Sequence, residues 1–172
     1  MSEHEYHQRA AEIVQRLLNG EATIEIQTLA GREQLTVKWV KINAVAGIDN
    51  YFIAAADQRG HEVAEVDYKV DHNHRPPRAT IENRSVERAY RRKGVSRQLF
   101  GLLAQHVRSL GVEQIGGWIR KTNQDALNSR QRMRDLLTGQ RYRTTLQKTS
   151  SPQFWDVTTF LNQFADDEGE SV

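Results

Sequence analysis

Residues 79 to 119 constrain what this chain can fold into more than any other stretch. Ala79 to Val86 reads as a strand and a short basic turn follows it. From Val95 to Leu110 the apolar residues Val95, Leu99, Leu102, Leu103, Val107 and Leu110 recur at helical spacing. At 1.5 Å per residue that amphipathic helix is about 24 Å long. Gly111 ends it, and Gln114 to Ile119 is predicted to be the next strand. Strand, tight turn, helix, strand is a βαβ unit, which places two parallel strands in one sheet.

The flanking sequence supplies the rest of a mixed sheet. Ser2 and Glu5 form a capping box, and Tyr6, Ala10, Ile13, Val14 and Leu17 share one helical face until Asn19-Gly20. Ala22 to Leu29 alternates, Ala30-Gly31-Arg32 turns the chain, and Leu35, Val37, Trp39 and Lys41-Ile42 carry a second strand. Tyr51–Ala56 and Glu62–Val70 read as a hairpin closed at Asp57-Gln58-Arg59-Gly60. The two prolines at 76 and 77 make residues 71–77 a surface loop. Asn123–Leu137 is predicted as a helix closed by Thr138-Gly139. Arg141–Lys148 and Phe154–Phe160 are predicted as the last strands.

With 172 residues and no internal repeat, the expected organisation is one domain over 1–165 and an acidic, disordered tail over 166–172. The chain has no cysteine, so disulfides, thiolate metal sites and a Cys nucleophile are excluded, and any group transfer should be direct. No run of 18 apolar residues suggests a membrane span, and the polar N-terminus has no apolar leader segment. A cytoplasmic location is the expectation.

The net charge of +2 is unevenly spread. Residues 75–148 hold 17 Lys+Arg and 5 Asp+Glu, a net of +12, and the remainder carries −10. Such a block suits a polyanionic ligand, nucleotide, coenzyme or nucleic acid, or else is a solvated face. Its most informative part is Arg91-Arg92-Lys93-Gly94-Val95-Ser96-Arg97, between the strand and the long helix. The first N–H groups of a helix have no intrahelical partner and carry partial positive charge. A turn of small residues lets an anion reach them. Gly94 and Ser96 keep the turn small and Arg91, Arg92, Lys93 and Arg97 surround it, so the expected ligand group is a pyrophosphate.

Arg91-Arg92-Lys93-Gly94-Val95-Ser96 resembles motif A of the GNAT N-acetyltransferase superfamily, with Ser96 where that motif ends in Gly or Ala. Val86 before the turn, Leu99 after it and the upstream hairpin also resemble the family over 51–160. The resemblance implies a GNAT-like acyl-CoA N-acyltransferase fold, α/β with a mixed sheet, carrying an N-terminal helix and an extra hairpin. It also implies acetyl-CoA as cosubstrate, with no metal. The pyrophosphate would lie on the N–H groups of Arg92 to Arg97, and the Val86 N–H would meet the thioester carbonyl. Gly116-Gly117 would help open a cleft, or would be a simple bulge. Glu82, the only carboxylate on the strand into the motif, is the candidate base or a solvated strand residue. Asn128, or alternatively Asn123, matches the family's CoA-contacting Asn. The family's usual Tyr acid falls on Asp135 here, leaving Tyr142, or Tyr90, as a weak substitute.

The resulting reading is direct acetyl transfer to a primary amine of a small molecule, a protein or an aminoacyl-tRNA. The alternative is a regulator that binds nucleic acid or protein through 75–148, including the dense run Arg130, Arg132, Arg134, Arg141 and Arg143. A homodimer is expected from the prevalence of two-fold assemblies. His72 and His74 have no evident third metal ligand. His106 is expected to pack in the interior, and Trp39, Trp118 and Trp155 to pack in strands, with Trp118 near the cleft.

Overall fold

The computed structural model describes residues 1–166. Its elements run α1 (Glu3–Leu18), β1 (Thr23–Thr28), β2 (Gly31–Val45), β3 (Ile48–Ala56), β4 (Glu62–Asp71), β5 (Arg78–Val86), α2 (Val95–Ser109), β6 (Gln114–Gly116), β7 (Trp118–Arg120), α3 (Gln124–Gln131), β8 (Tyr142–Lys148) and β9 (Phe154–Phe164). A short 3-10 turn, Arg88–Tyr90, sits between β5 and α2. The nine strands form one sheet in the order β1-β2-β3-β4-β5-β6-β9-β7, with β8 on the other edge of β9. Only β5 and β6 run parallel, the arrangement the βαβ pattern requires. Among the described residues no helix is long and apolar enough to cross a membrane.

Helix α1 begins where the capping box places it, with the Ser2 hydroxyl accepting from the Glu5 N–H at 3.1 Å. It packs on α2, and α2 packs on β1, β3, β4 and β5. Leu17 of α1 and Leu99, Phe100, Leu103 and Val107 of α2 are buried against Ile24, Ile53, Val66 and Ile115 of the sheet. Each such side chain removed from water stabilises the fold by about 1.5–3 kcal/mol. His106, also on α2, is 3% exposed, as its place on the apolar side of the helix predicts. Its Nδ1 lies 2.7 Å from the Tyr68 hydroxyl, which also accepts from the Trp39 indole.

Several boundaries differ from the sequence expectation. The second strand runs from 31 to 45 and the last extends to 164, because each pairs along its length with a long partner. The strand expected over 114–119 is cut in two at Gly117, whose φ of +147° does not continue a ladder. The helix expected over 123–137 stops at 131. Beyond it, the Asp135 carboxylate accepts from the N–H groups of Leu137 and Thr138, and an isolated bridge joins Arg134 to Arg141. A buried side chain that serves backbone donors in this way competes with helical bonding. The acidic tail expected over 166–172 lies, past Asp166, outside the described residues.

Candidate active site

The sheet opens at one place. Parallel pairing of β5 with β6 covers only Ala79–Ile115 and Thr80–Gly116. Beyond Thr80, β5 continues on β4 alone and carries a bulge at Glu82, since Tyr68 pairs with Ile81 and Asp67 with Asn83. The Glu87 N–H donates to the Val63 carbonyl at 2.8 Å, the bond that flanks a non-hydrogen-bonded pair. Ala64–Val86 is that pair, and Val66–Arg84 repeats it two residues on. The N–H and C=O of Arg84 and Val86 therefore point away from β4, into the opening, as an edge with no partner strand, where the Arg84 N–H donates to the Asn83 Oδ1 at 3.0 Å and the Val86 carbonyl accepts from Arg91.

A cleft of about 760 Å³ occupies this opening on the side of the helices. Its floor is the end of β5, from Arg84 to Val86, and one wall is the first turn of α2. Gly94 caps that helix in the left-handed region at φ +82°, a conformation that suits glycine. Val95, Ser96 and Arg97 supply the N–H groups of the first turn, which have no intrahelical acceptor. The opposite wall is α3, through Asn123, Asp125, Asn128 and Ser129, with Arg132 just past its end. Five arginines (Arg84, Arg91, Arg92, Arg97 and Arg132) face this cleft against one carboxylate, Asp125. Two are held by the fold: Arg91 Nε donates to the Val86 carbonyl at 3.0 Å, and Arg84 Nε donates to the Ser96 hydroxyl at 2.9 Å. Burial lowers the Arg84 pKa, with Asp125 opposing and Arg91 adding to the depression.

A second cleft, of about 510 Å³, opens on the helix-free face at the same divergence. Glu82 of β5, Gly116 and Gly117 at the strand break, Trp118 of β7 and Asp156 of β9 line it. Trp118 is 69% exposed and pairs directly with Asp156 across the β7–β9 ladder. Glu82 is held by Lys69 of β4, Nζ to Oε1 at 2.8 Å. Burial raises the pKa of its neighbour Asp67, with Asn83 opposing and Glu82 adding.

The structure thus brings Val86, Arg91, Arg92, Gly94, Val95, Ser96, Arg97 and Asn128 to one cleft and Glu82 to the other. Lys93 lines neither. Tyr142 is not brought to the site at all. It is 1% exposed, its hydroxyl accepts from Arg108 at 3.2 Å and donates to Asp135 at 3.3 Å, and burial pushes its pKa up. Asp135 is equally interior, pairing with Arg108 at 2.9 Å and accepting from the Tyr6 hydroxyl. Tyr90, the other tyrosine named, does line the larger cleft, with its hydroxyl donating to Glu33 at 3.0 Å. The basic run divides as well. Arg130 is buried, Arg132 faces the larger cleft, Arg134 binds the Gly139 carbonyl, and Arg143 lies over Phe160.

Arg84, Asp125 and Asp156 escaped the sequence reading, and Arg132 was named there only as part of the basic run. For Arg84 a signal existed, since it stands two residues before Val86 and so shares its strand face. His72 and His74 pair with Asp49 and Asp71. Among the described residues no group of three His, Cys, Asp or Glu could hold a metal ion.

A model of the acetyltransferase (GNAT) family matches residues 20–133. No curated protein matches the chain by sequence. Among solved structures it is similar to the GNAT domain of PAT from S. lividans, at 12% identity and a TM-score of 0.56, over 80% of this chain and 94% of that one. The NatC complex bound to a Gag peptide and CoA matches at 17% identity and 0.53, over 63% and 70% of the two chains. The PaiA N-acetyltransferase of Thermoplasma acidophilum, in complex with coenzyme A, matches at 10% and 0.52, over 64% and 60%. At these identities the likeness is one of fold.

Proposed function

The chain belongs to the GNAT acetyltransferase family, and from that premise we propose that it is an N-acetyltransferase that takes its acetyl group from acetyl-CoA and passes it directly to a primary amine. One observation carries the reading. The cleft on the helix side joins an arginine-rich helix N-terminus to a strand edge with no partner strand, on which the Val86 N–H points into the opening. Diphosphate needs the first, and the amide-bearing arm of CoA can pair with the second. Arg91, Arg92, Arg97 and Arg132 supply charge, Gly94 to Arg97 supply N–H donors, and Asn128 and the edge at Arg84–Val86 border the arm. Bound there, acetyl-CoA supplies a thioester carbonyl open to attack by an amine. The Val86 N–H would then face oxygen that gains negative charge, where a fixed donor favours the transition state over the ground state.

The acceptor amine enters from the helix-free face. Glu82, on the bulge at the mouth of the smaller cleft, takes the amine proton, directly or through one water. Its ion pair with Lys69 keeps the carboxylate oriented toward that face. Isothermal titration with acetyl-CoA tests the donor site. Saturable one-to-one binding is expected, and Gly94→Glu weakens it by about a hundredfold by placing a carboxylate among the diphosphate donors. A wild-type protein that takes up neither acetyl-CoA nor CoA would contradict the reading.

A further inference from the structure

Arg130 is a buried cation that the binding scheme above does not use. It lies on α3, is 2% exposed, and reaches across to the strand break. Its Nη2 donates to the Ile115 carbonyl at 2.9 Å and lies 3.4 Å from the Thr159 hydroxyl. Its Nη1 donates to the Gly116 carbonyl at 3.3 Å, and its Nε has no hydrogen-bond partner. Every one of these acceptors is neutral. The nearby carboxylates face elsewhere, Asp125 into the donor cleft beside Arg84 and Asp156 onto the opposite face of the sheet. Burial alone pushes the guanidinium pKa down to about 10, so it stays charged at neutral pH. Interior charges are ordinarily paired, and an uncompensated one costs several kcal/mol.

Arg130 itself lines neither cleft; its guanidinium lies directly behind Gly116 and Gly117, at the seam between them. Ser129 and Arg132, on either side of it in sequence, line the donor cleft. Gly116 and Gly117 line the acceptor cleft, and a Cβ placed on Gly117 would lie 3.2 Å from Nη1 and 2.8 Å from the Ile81 carbonyl. A donor entering from one side and an amine from the other meet at this seam. Asp135, at the family's acid position, and Tyr142 are both locked in the core, and Tyr90, which lines the donor cleft, commits its hydroxyl hydrogen to the Glu33 carboxylate at 3.0 Å.

We propose that Arg130 takes the place of a proton donor: its buried positive charge stabilises the CoA thiolate as it leaves. The amine nitrogen forms the new C–N bond and its proton passes to Glu82. The C–S bond breaks with its electron pair going to sulfur, which departs as the anion and is protonated later by solvent. Arg130 acts through its field, as a positioning residue whose place is fixed by Ile115, Gly116 and Thr159. The proposal rests on CoA binding in the arginine-lined cleft.

The test is the titration of the thiol of CoA bound to the intact protein, followed by the ultraviolet absorbance of the thiolate, in wild type, Arg130→Met and Arg130→Lys. In wild type the bound thiol is expected to titrate about one pH unit or more below free CoA. Arg130→Met loses that shift, and Arg130→Lys, which keeps the charge, recovers part of it. An Arg130 that only pins α3 to the sheet would change stability and leave the bound thiol where it was. CoA that binds to wild type with an unshifted thiol overturns the proposal by itself, even if Arg130→Met does not fold. Failure of wild type to bind CoA overturns the donor-site reading, and this proposal with it.

Discussion

At the scale of single residues, the opening in the sheet separates a cluster of arginines on one face from carboxylates on the other. The arginines at the N-terminus of α2 line the larger cleft, and Glu82, paired with Lys69, shares the smaller cleft on the other face of the sheet with Asp156. Glu82→Gln keeps shape and hydrogen bonding and removes proton acceptance. Steady-state kinetics are expected to show kcat about a hundredfold lower, in the range general bases contribute, with acetyl-CoA affinity by calorimetry unchanged. Full retention of kcat would dismiss Glu82 as the base. The basic turn that lines the larger cleft was legible in the sequence because Gly94, Ser96 and four basic residues stand together where a strand meets a helix. Arg130 was not. A charged residue in a basic run reads as solvated, and only the fold of α3 onto the break at Gly117 shows it to be interior. Tyr142 misled for the opposite reason. Its distance in sequence from the motif gave no hint that Arg108 and Asp135 claim its hydroxyl.

At the scale of elements, the segment after α3 shows what a buried carboxylate can do to a helix. Fourteen residues of helix were expected past Asn123, yet Asp135 accepts from two backbone N–H groups and from Tyr6, Tyr142 and Arg108. It ties α1, α2 and β8 together at the end of the sheet away from both clefts. Asp135→Asn leaves the partly buried Arg108 guanidinium without its counter-charge, which should cost about 2–3 kcal/mol of stability after allowance for its contact with solvent. Chemical denaturation reads this directly, while kcat measured under conditions where the variant is folded should match wild type. A variant that kept its stability and lost turnover would instead return Asp135 to the chemistry. The strand–helix–strand unit was readable from periodicity alone. The break between β6 and β7 was not, because Gly116-Gly117 is equally compatible with a bulge and with an open sheet until the neighbouring strands are known.

At the scale of the whole molecule, the helices cover one face of a nine-stranded sheet, and the opening between β5 and β6 connects that face with the bare one. The interior that supports this arrangement is pH-sensitive through His106. Burial, with a smaller contribution from Lys41, lowers its pKa from 6.5 to about 4. The unfolded chain therefore binds the His106 proton at higher pH than the folded one does. Stability from this group is complete above pH 6.5 and is lost as pH falls toward 4, by about 3 kcal/mol at most. Urea unfolding at a series of pH values is expected to show that slope, flattened in His106→Gln; an equal slope in the variant would assign it to other groups. The charge imbalance of the chain also resolves at this scale. Part of the positive block lines the larger cleft, part is buried, and the arginines between 130 and 143 do not share one face. The most direct test of the account is calorimetric titration of the wild-type chain and Gly94→Glu with acetyl-CoA. Saturable one-to-one binding to wild type, lost or strongly weakened in the variant, is the predicted result. An absence of binding to wild type, or equal binding to both, would contradict it.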